Sequence, residues 1–143
     1  MSTELPSDLV HKKWYAVAED DLKIVFSLWR KREKINRGIC FHAQQYVEKV
    51  LKGILEQNKI RPPRVHDLIT LNTLCKEINI EVPVSEEDLQ FLSSIYIDTR
   101  YPPDAGLIPN GEPTKEHSKL AYQIVKNLDK WLRVKVTEKK EKR

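Results

Sequence analysis

Apolar residues along the chain recur every three to four positions, a period that predicts amphipathic helices and almost nowhere the strict alternation of a strand. In the first segment Trp14, Val17, Ala18, Leu22, Val25, Leu28 and Trp29 share one face. The segment opens at Pro6-Ser7-Asp8, with Ser7 as a cap and Asp8 favourable in the first turn. Asn36-Arg37-Gly38 reads as the break after it, Gly38 supplying conformational freedom. A second helix is expected from about Ile39 to Gln57, stopping before "NKIRPPR", where Pro62-Pro63 forbids continuation. A third covers "HDLITLNTLCKEI", with Leu68, Leu71, Cys75 and Ile78 on its stripe. Ser85 opens a fourth, with Asp88 three residues later in a capping-box position and Leu89, Leu92, Ile95 and Tyr96 facing inward. "TRYPPDAGLIPNGEPT" holds four Pro and two Gly and reads as a long loop, of a length that is often functional. Thr114 caps a last helix with Leu120, Ala121, Ile124, Leu128, Trp131 and Leu132 on one stripe. The expected fold is all-α, an antiparallel up-and-down bundle of about five helices over residues 1–132, followed by a basic, frayed tail at 133–143.

The second helix carries the sharpest contrast. At about 100° per residue, Ala43, Val47, Val50, Leu51 and Ile54 occupy one side, and His42, Gln45, Glu48, Lys49 and Lys52 the other. The polar side reads either as a solvated surface with Glu48 and Lys52 as an i,i+4 ion pair, or as a place where something binds. Amides and a histidine stand among its charges, and Phe41 and Tyr46 lie at its margins. Both features favour binding.

Charge adds a boundary. The 143 residues hold 25 Lys/Arg and 21 Asp/Glu, and the excess falls wholly in residues 133–143, leaving 1–132 balanced. A strongly basic nucleic-acid-binding body is therefore not expected. No run approaches the ~20 apolar residues of a membrane span, and the N-terminal stretch lacks an apolar signal region, so the expected location is the cytoplasm. Cys40 and Cys75 lack metal-ligand spacing and are expected as buried thiols.

The four His are scattered, and neither a Gly-rich phosphate loop nor a nucleophile elbow is present. Metal-dependent and acyl-transfer chemistry are not indicated. Two further polar groups stand out. His66-Asp67 begins the third helix, Asp67 reading as a first-turn acid. Arg100-Tyr101 opens the long loop, where an Arg fork suits phosphate and a Tyr ring suits stacking on a base.

"FHAQQYVEKVLKGIL", "PPRVHDLITL" and "DTRYPPD", in that order, closely resemble the HEPN domain family, in particular its small stand-alone prokaryotic branch. The resemblance spans roughly Lys12 to Leu132. It implies a five-helix bundle that pairs as a homodimer and acts beside a minimal nucleotidyltransferase partner. It also implies a nucleotide such as ATP as ligand; the scattered His leave no metal site expected. Carried over by motif, the nucleotide-binding candidates are Gln45, Glu48, Lys49, Lys52, His66, Asp67, Arg100, Tyr101 and Asp104. Some members are metal-independent endoribonuclease toxins of toxin–antitoxin pairs, with Arg, four to six intervening residues and then His, late in the domain. Here the last motif has an extra Pro before Asp104, and the next His after Arg100 is His117. Arg37 and His42 have the four-residue gap, but at the start of the second helix. The runner-up catalytic residues are Arg37, His42, His66 and Arg100, and ribonuclease activity is expected to be weak or absent. A ligand-free helical interaction module is the third reading. The three Trp and the other aromatics of the first and last helices add to the expectation of a dimer.

Overall fold

The computed structural model describes the backbone of residues 7–100 and 112–141, with side chains from 11–95 and 112–135. Five helices follow one another: α1 (Ser7–Arg30), α2 (Asn36–Gln57), α3 (Leu68–Glu77), α4 (Glu86–Arg100) and α5 (Lys115–Glu141). No strand occurs among the described residues. The architecture is the all-α bundle that the 3.6-residue period predicts. The tracts Arg100 to Asp104 and Tyr96, singled out in the sequence, have side chains outside the described residues.

α2 is the central element and packs against all four other helices. Its apolar side, with Ile39, Cys40, Ala43, Val47, Val50, Leu51, Ile54 and Leu55, joins Leu22 and Val25 of α1, Leu68 and Leu71 of α3, Leu89 and Leu92 of α4, and Val125 and Leu128 of α5 in one core. Cys40 and Cys75 are free thiols in that core; burial pushes them up to about 12 and about 11, so they stay protonated.

The helix ends are set by local chemistry. α2 and α3 each terminate in a Schellman motif. In the first, Ile60 N donates to Leu55 O (2.9 Å) and Lys59 N to Glu56 O (3.0 Å). In the second, Ile80 N donates to Cys75 O (3.0 Å) and Asn79 N to Lys76 O (2.9 Å). Lys59 and Asn79 take φ of 62° to close these turns, and Ile60 and Ile80 then pack on the core. α2 thus stops at its own cap, several residues before Pro62-Pro63. Ser85 Oγ accepts from Asp88 N (3.1 Å) at the start of α4. At α5 the cap is reciprocal: His117 N donates to Thr114 Oγ1 (3.2 Å) and Thr114 N to His117 Nδ1 (3.0 Å). His117 fills the role usually taken by Glu or Gln in a capping box.

Several expectations need correction. The break between α1 and α2 is at residues 31–35, and Asn36-Arg37-Gly38 is already helical. Gly38 serves close approach: a Cβ there would meet Leu28 Cδ1 at 3.0 Å. Thr99 and Arg100, expected at the start of the long loop, belong to α4. Val17 and Leu120, placed on apolar stripes, are 44% and 38% exposed, while Asp21 and Val125 hold inward positions. α5 continues to Glu141, through most of the basic segment expected as a tail.

Candidate functional site

The polar side of α2 is not washed by solvent. Glu48 and Lys52 are 5% and 6% exposed, Gln44 is fully buried, and Asp21 of α1 is 5% exposed. Ionised groups leave water only when paired and hydrogen-bonded, and two carboxylates organise that pairing.

Asp21 reaches across from α1. Its Oδ1 lies 2.8 Å from His42 Nδ1, and its Oδ2 accepts from Lys49 Nζ at 2.5 Å. Burial alone would raise the Asp21 carboxyl, but the hydrogen bonds and charges of His42 and Lys49 outweigh it and hold the group below its ordinary value. Glu48 forms the second centre. Lys52 Nζ donates to its Oε2 (3.1 Å), Gln44 Nε2 donates to its Oε1 (3.2 Å), and His66 Nδ1 lies 3.0 Å from Oε1 and 3.2 Å from Oε2. Gln44 Nε2 also donates to the His66 carbonyl (3.4 Å), and Gln45 Nε2 donates to Gln44 Oε1 (2.7 Å). The Lys52 ammonium sits 5.5 Å from the centre of the Trp14 ring. The expected Glu48–Lys52 pair thus forms, as the interior of an interface between α1, α2 and the strand-free segment before α3.

Local sequence explains the placement. Trp14, Ala18, Asp21, Val25 and Leu28 alternate steps of four and three, the spacing of a helix seam, so Asp21 occupies a core position on α1. Asp67 is the N-cap of α3: its side chain accepts from Ile69 N (3.2 Å) and from Thr70 Oγ1 (2.7 Å). That cap ends the extended segment one residue after His66 and fixes His66 against Glu48.

Of the residues singled out in the sequence, Gln45, Glu48, Lys49, Lys52, His66 and His42 meet here, and Asp67 stands beside them as a cap. Arg37 is committed elsewhere, in an exposed ion pair with Glu112. Arg100, Tyr101 and Asp104 lie outside the described side chains. Sequence reasoning missed Asp21 and Gln44. Their signal was an acid at a seam position of α1, and a second amide one residue before Gln45.

Chemically, the lysines are neutralised by the carboxylates. The face offers outward two imidazoles, each anchored at Nδ1. An ionised carboxylate only accepts, so the hydrogen bond at each Nδ1 is one the imidazole donates. No three His, Cys, Asp or Glu side chains come together as metal ligands would among the described residues. No helix among them is long and apolar enough to cross a membrane.

A family model of the HEPN domain matches residues 11–135. The chain belongs to the HEPN domain family. All three motifs that carried the resemblance lie within the match, and membership supports a module of nucleotide-binding or ribonuclease type. No curated protein and no solved structure matches the chain.

Proposed function

We propose that this HEPN domain binds a phosphorylated nucleotide over the polar side of α2, pairs as a homodimer, and works with a minimal nucleotidyltransferase. The observation that supports this reading best is the pair of carboxylate-anchored histidines, His42 on Asp21 and His66 on Glu48, with a lysine on each carboxylate. Asp21 with Lys49 and Glu48 with Lys52 cancel in charge. Protonation of either imidazole then gives the face a net positive charge toward a phosphate. Lys49, part exposed, is the ammonium that reaches an incoming oxygen. Lys52 is buried beneath it as support. Gln45 supplies an amide at the same edge.

Titration calorimetry with ATP and other nucleotides tests the reading. Wild type binds, and Lys49→Ala weakens binding about tenfold, the value of one charge-assisted hydrogen bond. Absence of binding by every nucleotide defeats it.

The same two histidines favour one alternative, a metal-independent ribonuclease in which one imidazole takes the ribose 2′-OH proton and the other donates to the leaving oxygen. Carboxylate-held imidazoles suit both tasks. Purified protein against total RNA without metal decides between the readings. Robust cleavage abolished by His42→Ala or His66→Ala replaces the accessory role with catalysis.

A further inference from the structure

The balance of charge over residues 1–132 hides a segregation that the fold creates. α1 packs beside α5 and α3 beside α4, with α2 between the two pairs. Glu77, Glu81, Glu86 and Glu87 are exposed around the connection from α3 to α4. Basic residues collect instead where α1 and α5 lie side by side. Lys12, Lys23 and Arg30 fall within about 20° of one another, on the side of α1 opposite Asp21. Lys119, Lys126 and Lys130 fall within about 40° on α5, next to Tyr122, whose ring meets Phe26 and Trp29 of α1. The two rows therefore border the same outward seam, and all six side chains are exposed.

None of the six pairs with a carboxylate among the described residues. The acids between the rows are already committed: Arg133 Nε lies 2.9 Å from Asp129 Oδ1, and Arg133 Nη2 lies 3.4 Å from Glu19 Oε1. Lys49 and Lys52, by contrast, are neutralised at the other face. At 1.5 Å per residue the row on α1 extends about 27 Å and the row on α5 about 17 Å. A strand of a double helix carries a phosphate every ~3.4 Å, so each row can face several in succession.

Two features select among polyanions. Trp29 and Tyr122 stack on each other with ring centres 4.4 Å apart. Lys34 Nζ lies over Trp29 at 4.7 Å and Lys126 Nζ over Tyr122 at 5.8 Å, so ammonium groups cover the outer faces of the stack. Single-strand binders need open aromatic faces as platforms for splayed bases. Here the rings are taken, and backbone phosphate is what the surface can engage. A lipid surface needs an apolar anchor beside the charge. Among the described residues neither row carries an exposed aliphatic side chain: Val17 and Ile24 lie about 100–140° round α1 from its row, and Leu120 about 80–120° round α5.

We infer that the α1–α5 face docks on the phosphate backbone of a nucleic-acid double helix without reading its sequence. The test is fluorescence anisotropy of the full chain with two DNA duplexes of about 20 bp and unrelated sequence, the separated strands, and vesicles of phosphatidylserine in phosphatidylcholine. Both duplexes bind alike, and the single strands bind at least tenfold more weakly. Duplex affinity falls roughly 100- to 1,000-fold between about 50 and 200 mM salt, the loss for four to six phosphate contacts. Lys23→Gln, Lys126→Gln and Lys130→Gln together leave the Tm unchanged and reduce the steepness of log Kd against log salt by about 3. Arg61→Gln, Arg64→Gln and Lys76→Gln remove the same charge from exposed positions on the α3 side and leave duplex affinity within about twofold of wild type. The inference fails if neither duplex binds at low salt, if one sequence is preferred more than tenfold, or if single strands bind as tightly. It also fails if the α3-side variant weakens binding as much, which would make net charge alone responsible, or if vesicles bind and duplexes do not. Lys49→Ala binds duplex as wild type does, which separates this face from nucleotide binding at the polar side of α2.

Discussion

Val47, Val50, Leu51 and Ile54 on one side of α2 and Gln44, Glu48 and Lys52 on the other are equally shielded from water. They reach that state by opposite physics. The apolar side gains about 25 cal/mol for each Å² removed from water and asks only for volume to be filled. The charged side loses hydration worth several kcal/mol per ion, and regains it only when every partner is in place. The apolar side tolerates exchange of one hydrocarbon for another. The charged side tolerates loss of the whole set better than loss of one member, and the most direct way to break the comparison is to remove one member.

Glu48 is the member with most dependents: Lys52, Gln44 and His66 all lean on its two oxygens. Glu48→Ala is expected to destabilise by ~3–5 kcal/mol, because Lys52 is left charged and buried. Glu48→Met with Lys52→Met recovers most of that loss, since apolar residues of similar length often replace a buried pair at no cost. Urea unfolding monitored by circular dichroism measures both. A cost below about 1 kcal/mol for Glu48→Ala would show that the face is solvated after all. Recovery of stability without recovery of ATP binding in the double variant would mean the pair is kept for its ligand.

The same contrast explains what the sequence disclosed. The apolar side of α2 was legible because hydrocarbon burial follows helical period alone, and the bundle follows from five such stripes. The Glu48–Lys52 pair was legible as local spacing. Its burial was not, because that depends on Trp14 and Asp21 arriving from α1 and His66 from the segment before α3. The period of α1 misassigned Val17 for a related reason. A helix seam accepts one buried acid when a partner helix supplies its cations, so Asp21 took a core position that hydrophobicity alone denied it. Helix ends were half legible. Ser85 and Thr114 announced caps, but Lys59 in a left-handed conformation has no signature in composition.

Asp21 sharpens the comparison through pH. Its folded-state carboxyl is held below its ordinary value. The unfolded state therefore takes up a proton first as pH falls. The stabilisation is fully present above the unfolded carboxylate range near pH 4, and is lost as pH drops through the lower folded value. Asp21→Asn is expected to cost about 1.5–3 kcal/mol at neutral pH, since both His42 and Lys49 lose a charged acceptor. The variant should also flatten the acid limb of a Tm-versus-pH profile between about pH 5 and 3. An acid limb identical to wild type would assign that limb to other carboxylates.

The smallest effect belongs to the ion pair outside the interior. Arg37 and Glu112 contact each other while both remain exposed. In water their attraction is weak and offset by side-chain ordering, so exposed pairs contribute about 0.2–1 kcal/mol and often less. Arg37→Ala is expected to change stability by no more than ~0.5 kcal/mol, with an effect that vanishes in high salt. Set against Glu48→Ala, the same chemical type of pair then differs severalfold through burial alone. Arg37→Ala also separates structure from chemistry. Arg37 projects roughly 140° round α2 from His42, so it does not share a face with the anchored histidines. Nucleotide affinity in Arg37→Ala should equal wild type. A variant of unchanged stability that had lost RNA cleavage or nucleotide binding would show that Arg37 acts on the ligand, and that its partner in that act is not reached along the helix it sits on.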